Sequence, residues 1–267
     1  MQFNRVLGVV LRQFYLIRGS ISRLVPLCIW VAVDIIVWGF ITRYLNSFAA
    51  TGANFVSLFL GAILLWDFLV RIMQGVTMAF MEDIWSRNFL NIFSTPLRIS
   101  EYVTGLVLSS IFTSLVGLAV MMVLATFVFG LSFFSYGIMF VPFLLVLFLF
   151  GIALGIFGCA IMLRLGPAAE WFVWPIPAII SPFACTLYPM AVLPHWMQII
   201  AQLLPLSYVF EGMRTIVAGG HVTSTALLIS ILLALFYIAL SCLCFTRVYR
   251  YAVRVGLIAR YSAESVA

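Results

Sequence analysis

Apolar residues occur along this sequence in long runs that polar residues interrupt only at intervals. Six of the runs are long enough for a membrane-spanning helix, which needs about 20 apolar residues. They are Val25–Leu45, Phe55–Phe80, Tyr102–Phe129, Ile138–Leu163, Trp171–Ala191 and Thr223–Phe245. The pattern therefore predicts an all-α polytopic membrane protein with six transmembrane helices.

The first residues follow the pattern of an amphipathic helix instead. From Phe3 to Ile17, apolar side chains recur at the i, i+3, i+4 and i+7 spacing, and arginines interrupt them. A helix with this pattern lies in the membrane interface. We therefore expect one transmembrane domain over 1–267, divided into an amphipathic connecting helix (1–23), a six-span core (24–251) and a cytoplasmic tail (252–267).

Prolines set the fifth run apart from the others. Pro175, Pro177 and Pro182 lie inside it, and each removes a backbone donor and disturbs the helix around it. We expect a broken or kinked span there. The next residues, Leu193–Arg214, are too short and polar for a span but keep an apolar helical face that Pro205 divides. They predict an outer re-entrant helical hairpin before the last span, with its irregular backbone buried against protein.

Composition narrows the possible functions. Hydrophobic residues make up 65% of the chain and charged residues 8%, which excludes a water-soluble fold. The sequence contains no lysine, which excludes a lysine-bearing phosphate loop and a lysine nucleophile. The net charge of +6 does not indicate a nucleic-acid partner, because the arginines lie between apolar runs rather than on one solvated face.

The arginines indicate the orientation in the membrane, because short cytoplasmic loops collect positive charge. With the N-terminus inside, eleven arginines are cytoplasmic, two (Arg43 and Arg214) are outside and one (Arg71) lies within a span. Both termini are therefore expected on the cytoplasmic side.

Three ionisable residues within the spans are candidates for function, because charge in the membrane is costly. Asp67 and Arg71 are four residues apart on one helix face, either as a functional pair or as a self-neutralised pair that fixes helix packing. Asp34 has no charge within four residues on its own helix. It is expected to meet a partner on another helix or to face a hydrated cavity.

Small residues at helical spacing predict close helix contacts. They crowd the third run (Gly105, Ser109, Thr113, Gly117) and the fourth (Gly151, Gly155, Gly158, Cys159). Packing within one subunit and dimerisation both explain this spacing.

Signatures of an enzyme are missing from the sequence. His195 and His221 are 26 residues apart, with no carboxylate or thiolate at metal-ligand spacing, and no nucleophile elbow occurs. We therefore expect no catalytic residue, no metal site and no cofactor in this chain.

The loop Met81–Glu101 is the largest one expected in the cytoplasm. Its first residues are acidic and suit a helix N-terminus, so a short amphipathic helix is predicted there, ending at Thr95-Pro96. The Asn88–Leu97 part of this loop and the Leu193–Arg214 segment, at these places in a six-span chain, resemble the membrane permease of ABC transporters of the type-2 export class.

The resemblance implies a transport subunit of the bacterial cytoplasmic (inner) membrane that forms a homodimeric or pseudo-dimeric unit, with a second copy of itself or with a related permease. Two copies of a separate ABC ATPase would bind ATP and Mg. The coupling helix that contacts the ATPase falls on the docking segment, defined as Glu82, Asp83, Ile84, Trp85, Arg87 and Asn88, with the turn Leu163–Glu170 as a minor contact. The outer re-entrant segment carries His195, Trp196, Pro205, Tyr208, Glu211 and Arg214.

By the same resemblance, spans one, two and five of both copies would line the pathway, with Asp34, Asp67 and Arg71 near it. Because the spans hold few polar residues beyond Ser and Thr, we expect a lipophilic or amphipathic substrate such as a drug or lipid. Export of a polysaccharide or lipo-oligosaccharide is the alternative. A proton-coupled secondary transporter is a different class, but the two three-span halves show no inverted repeat.

Overall fold

A computed structural model describes residues 2–19, 21–48, 56–86, 88–131 and 133–257. Every regular element in these ranges is helical, as the sequence predicts. Among the described residues, four helices are long and apolar enough to cross a membrane: Leu58–Trp85, Ile99–Phe129, Tyr136–Leu165 and Ser224–Val255. These correspond to the second, third, fourth and sixth predicted spans.

The α-helices in chain order are α1 (Phe3–Arg18), α2 (Ile21–Phe48), α3 (Gly61–Trp85), α4 (Phe89–Phe93), α5 (Ile99–Phe129), α6 (Phe140–Leu165), α7 (Glu170–Val173), α8 (Ile176–Ile180), α9 (His195–Leu203), α10 (Pro205–Val217) and α11 (Ser224–Val255). A π-helix over Val56–Leu60 precedes α3, and short 3-10 helices lie at Phe133–Met139, Pro167–Ala169, Ser181–Phe183 and Met190–Val192. Glycines in the left-handed region end two long helices, α5 at Gly130 (φ 67°) and α11 at Gly256 (φ 74°).

The helices α3 and α6 form the centre of the bundle. In their most apolar stretches 61% and 67% of residues are buried, against 28% and 17% in α5 and α11. Glycines of α6 allow the close approach: a Cβ on Gly155 would lie 2.9 Å from Cβ of Val76, and one on Gly158 would lie 2.6 Å from Cγ2 of Thr77. The small residues of the fourth run therefore serve packing within one subunit.

The bundle has two distinct ends. At the first, which we call the α1 end, α1 contacts the end of α3 and the start of α5, and Phe80 of α3 packs edge-to-face on Phe245 of α11. At the second, the hairpin end, a Cβ on Gly212 of α10 would lie 2.9 Å from the ring of Phe143, at the start of α6. The segment between α6 and α10 therefore leads from the α1 end to the hairpin end.

The fifth predicted span is broken, as its prolines predict. Helix α7 ends at Val173, α8 follows Pro175 and ends at Ile180, and a 3-10 turn begins at Ser181. None of these pieces is long enough to cross a membrane. Crossing by this segment and by α2, which contains the first predicted span, stays a prediction.

The hairpin consists of two helices, α9 and α10, joined at Leu204 in an extended conformation. Pro205 is the first residue of α10, as the sequence indicates, because proline suits the first turn of a helix. Whether the hairpin enters the membrane stays a prediction, as does the position of α1 at the membrane surface.

Two predicted boundaries differ from the structure. The single helix expected at the start of the loop Met81–Glu101 is wrong: residues 81–85 are the last turns of α3, and α4 begins only at Phe89. The helix α11 continues to Val255, past the predicted start of the tail at residue 252. Arg87 of the docking segment, Phe55 and tail residues 258–267 lie outside the described residues.

Candidate functional site

Asp83 joins three helices at the α1 end. It lies in the last turns of α3 and is only 1% exposed. Arg12 of α1 donates through Nη1 to its Oδ2 at 2.9 Å and through Nη2 to its Oδ1. Tyr102 of α5 donates its hydroxyl to Oδ2 at 2.6 Å. The hydrogen bond to Asp83 raises the pKa of Arg12 above its ordinary value, so the guanidinium stays charged.

A second carboxylate holds the start of α1. Glu101, in the first turn of α5, accepts the backbone N–H of Gln2 at 2.8 Å and that of Arg98 at 3.1 Å. Its Oε2 lies 3.6 Å from Nη1 of Arg5. One acidic side chain therefore caps α5 and ties α1 to it. We call Arg5, Arg12, Asp83, Glu101 and Tyr102 together the α1 anchor.

Apolar packing completes the contact between α1 and α5. Val6 and Val9 are buried, and a Cβ on Gly105 would lie 2.6 Å from Cβ of Val9. A neighbouring face of α1 leaves Phe3, Leu7, Leu11 and Phe14 exposed. The helix is therefore bound to the bundle by one face and presents an apolar stripe on another.

The structure divides the docking segment into an inner and an outer part. Asp83 and Ile84 are buried inside the chain, whereas Trp85 is 47% exposed and Glu82 and Asn88 are partly exposed. The helix α3 continues to Trp85 because Asp83, in its last turns, is held by bonds from Arg12 and Tyr102.

The α1 anchor was not predicted from the sequence. The sequence feature that could have indicated it is the spacing of Arg5 and Arg12. These arginines are seven residues apart and so lie on one side of α1. In the sequence, Arg5 and Arg12 interrupt the apolar face and add to the cytoplasmic positive charge, and neither role indicates an ionic contact with another helix. Nothing in the local sequence indicated that their partners were Asp83 and Glu101.

A cavity of about 450 Å³ lies beside the α1 anchor. Its lining includes Arg5, Arg12, Asn88, Asn91, Thr95 and Tyr102. The walls come from α1, from the start of α5 and from the chain between them that includes α4. Apolar residues such as Val9, Ile92 and Leu97 line it as well, and Asn88 is the residue of the docking segment that borders it.

Asp34, Asp67 and Arg71 form an electrostatic cluster between two helices. Arg71 of α3 interacts with Asp34 of α2 as well as with Asp67 of its own helix, and the two carboxylates repel each other. All three side chains are partly buried. A Cβ on Gly117 of α5 would lie 3.4 Å from Cδ of Arg71, so α5 closes one side of the cluster. The charge of Arg71 therefore acts on Asp34 from another helix. Whether Asp34 is paired with it or faces a hydrated cavity stays a prediction.

Glu211 and Arg214 fix the chain at the hairpin end. Arg214 donates through Nη2 to the carbonyl oxygens of Cys185 and, at 2.9 Å, of Thr186, and through Nη1 to Glu211 at 3.2 Å. Glu211 accepts the backbone N–H of Met190 at 2.5 Å. Burial lowers the pKa of Arg214 from its ordinary value, although a guanidinium remains charged.

The backbone that Arg214 holds is unusual. Cys185 has φ 57°, in the left-handed region that residues other than glycine seldom adopt. Two bonds from one guanidinium to neighbouring carbonyls compensate for that conformation. We call Cys185, Thr186, Met190, Glu211 and Arg214 together the hairpin clamp.

Other residues predicted for the outer segment lie apart from the clamp. His195 and Trp196 are exposed on α9, with Trp196 edge-to-face on Phe183 at 6.3 Å. Tyr208 donates its hydroxyl to the carbonyl of Gln202 at 3.0 Å. Ser207, which was not predicted as a site residue, is buried and donates to the carbonyl of Ala201 at 2.6 Å, across the turn between α9 and α10.

Within the described ranges, no three His, Cys, Asp or Glu side chains are grouped so that they can hold a metal ion. The fold and the buried charges define a polytopic helical membrane protein. The chain belongs to the ABC-2 type transporter family, because that family's model matches residues 17–218. The comparison with curated proteins gives no match. Its class is therefore that of a transport subunit, and the family associates in general with ABC ATPase subunits.

Proposed function

We propose that this chain is the membrane-spanning subunit of an ATP-driven exporter. Two copies form the translocation pathway, and two separate ABC ATPase subunits bind ATP and Mg. Membership of the ABC-2 type transporter family supports this assignment. The absence of lysine from the sequence agrees with it, because ATP is then hydrolysed in another subunit.

The ATPase docks at the α1 end through the outer part of the docking segment. The observation that carries this proposal is the exposure of Trp85 only two residues after the buried Asp83. A large exposed aromatic side chain is typical of a protein interface. Because Asp83 bonds to α1 and α5, movement imposed on Trp85 reaches three helices together.

The pathway lies near Asp34, Asp67 and Arg71, and the substrate is lipophilic or amphipathic. Charges within an otherwise apolar stretch are costly unless they meet water, each other or a substrate. Arg71 neutralises only one of the two carboxylates, so the cluster keeps a net negative charge when all three groups are ionised. Export of a polysaccharide or lipo-oligosaccharide is the alternative of the same class.

The α1 end faces the cytoplasm, and the hairpin end faces outward, in a bacterial inner membrane. This orientation places Arg5 and Arg12 of the α1 anchor on the cytoplasmic side, where membrane proteins carry an excess of positive charge. A single cysteine placed at His195, in a chain otherwise free of cysteine, is expected to react with an impermeant maleimide from outside, whereas one at Arg254 is protected. The reverse labelling contradicts the orientation.

Transport in proteoliposomes tests the function. The chain and its ATPase are purified together and reconstituted with a fluorescent phospholipid or a lipid-linked oligosaccharide as the probe. We expect Mg-ATP to drive movement of the phospholipid and a purified complex with two copies of each subunit. Movement of the oligosaccharide alone would select the alternative substrate, and movement driven by a proton gradient without ATPase would contradict the proposal.

A further inference from the structure

One side of α11 changes from apolar to basic along its length. The residues on this side recur at intervals of three and four, which places them in one line along the helix. They are Leu232, Phe236, Leu240, Leu243, Arg247, Arg250 and Arg254. We call this line the α11 stripe.

The stripe faces away from the core of the chain. Its four apolar members are between 49% and 60% exposed, and its three arginines are exposed as well. The buried residues of α11 lie around the opposite side of the helix, where α6 packs: Ser230, Ala234, Ser241, Phe245 and Ala252. Another molecule can therefore reach the whole stripe.

The dimensions of the stripe match one leaflet of a bilayer. Leu232 and Leu243 are eleven residues apart, about 16 Å at the rise of an α-helix. Half of a hydrocarbon core is about 15 Å thick. The arginines begin one turn beyond Leu243, which is the depth at which lipid phosphates lie. Apolar and basic parts therefore follow each other as acyl chains and headgroups do.

The charge of the stripe is not neutralised within the described part of the chain. Arg247, Arg250 and Arg254 form no ion pair there, whereas the two carboxylates of the α1 anchor are bonded to Arg12 and Arg5. A fourth guanidinium, that of Arg164 on α6, lies 5.7 Å from the ring centre of Tyr251 beside the stripe. The site therefore attracts an anion.

We propose that the α11 stripe binds an anionic phospholipid of the surrounding leaflet. The acyl chains lie along the apolar part, and the phosphate receives hydrogen bonds from the arginines. Arginine suits this ligand because its planar group donates two parallel bonds to phosphate oxygens. Basic clusters directly beyond a membrane helix are typical of such recognition. The proposal needs α11 to cross the membrane, and it is independent of the exporter assignment.

Charge argues against a second copy of the chain on this surface. Two copies related by a two-fold axis along the membrane normal present the same residues at the same depth. The three arginines of one stripe would then face the three of the other. Such like-charge contact is unfavourable, whereas an anionic lipid neutralises it.

Lipid retention by the full-length protein tests the proposal. The protein is purified in mixed micelles that contain equal amounts of phosphatidylglycerol and phosphatidylcholine, and mass spectrometry measures the retained lipids. We expect the natural chain to enrich phosphatidylglycerol. Replacing Arg247, Arg250 and Arg254 by Gln is expected to lower the enrichment at least about fivefold. Each single replacement is expected to lower it in part, which keeps the test valid if the triple variant folds poorly.

The matched control replaces three exposed arginines on other elements, Arg18, Arg43 and Arg98, by Gln. It removes the same net charge and is expected to keep at least half of the enrichment. An equal loss in both triple variants would overturn the proposal, because general charge would then explain the binding. Unchanged enrichment in the α11 variant, with weakened binding of the ATPase, would also overturn it and assign the stripe to a protein partner.

Discussion

Both ends of the bundle use an arginine and a carboxylate, but they use them in different ways. At the α1 end, Arg12 of one helix binds Asp83 of another, so the ionic contact joins helices. At the hairpin end, Arg214 binds the carbonyl oxygens of Cys185 and Thr186, so it holds irregular backbone in shape. The first arrangement makes helices move together, and the second fixes a loop locally.

Because of this difference, we expect substitutions at the two ends to destabilise different parts of the protein. Loss of a contact in the α1 anchor is expected to weaken the whole bundle, because α1, α3 and α5 all meet there. Loss of a contact in the hairpin clamp is expected to loosen only the chain around residues 185–190. Four substitutions test this contrast.

Asp83→Asn is expected to have the largest effect. It leaves the guanidinium of Arg12 partly buried without its counter-charge, and the free energy of unfolding should fall by about 3 kcal/mol. Thermal unfolding of the purified protein measures the change. Glu82→Gln is the control, since this neighbouring carboxylate is partly exposed and its loss should cost at most about 0.5 kcal/mol. Equal effects of both substitutions would contradict the role of Asp83.

Arg214→Gln is expected to lower the free energy of local opening around residues 185–190 by about 2 kcal/mol. It removes the two bonds to backbone carbonyls and the bond to Glu211. Hydrogen exchange followed by mass spectrometry should show faster exchange at Met190 and its neighbours, with no change in α1. Arg98→Gln, at an exposed arginine, should leave both regions unchanged. Faster exchange in α1 would remove the contrast between the two ends.

Gly105→Ala tests the apolar part of the α1 contact. The added methyl group would lie 2.6 Å from Cβ of Val9, so α1 must shift. We expect the free energy of unfolding to fall by about 1.5 kcal/mol. Gly8→Ala is its counterpart on α1, where an added Cβ meets nothing within 4 Å. That change should stabilise the protein by about 0.5 kcal/mol. Similar unfolding temperatures for the two variants would argue against tight packing of α1 on α5.

Tyr102→Phe is expected to have the smallest effect. It removes only the hydroxyl that donates to Asp83 at 2.6 Å, and Arg12 remains bound to the carboxylate. The expected loss is about 1 kcal/mol in the free energy of unfolding. Combining it with Asp83→Asn should cost less than the sum of the two, because both act on one network. Additive losses would show that the two residues act independently.

Much of the fold could be predicted from the sequence, because long apolar runs are typical of membrane-spanning helices. Each of the four helices that qualify as spans by length and composition overlaps a predicted run, and the prolines of the fifth run break it as expected. The local sequence did not predict where α3 ends. Its last turns carry acidic residues that suit a helix start, but contacts with α1 and α5 keep them in the preceding helix.

The candidate site was less predictable, because its contacts join distant parts of the chain. Arg12 and Asp83 are 71 residues apart, and Arg214 and Cys185 are 29 apart. Spacing along one helix indicated the pair Asp67 and Arg71, but it did not indicate that the charge of Arg71 also acts on Asp34. The sequence therefore identified some of the charged residues, such as Asp83 and Arg214, whereas the packing of helices shows their partners.

Binding of the ATPase to variants of the two exposed tryptophans tests the central claim most directly. Trp85 lies at the α1 end and Trp196 at the hairpin end, and they are 47% and 60% exposed. We expect Trp85→Ala to raise the Kd of the purified ATPase for the reconstituted chain at least about tenfold, as loss of an interface aromatic does, and Trp196→Ala to leave it unchanged. Equal Kd values for the natural chain and Trp85→Ala would contradict docking at the α1 end.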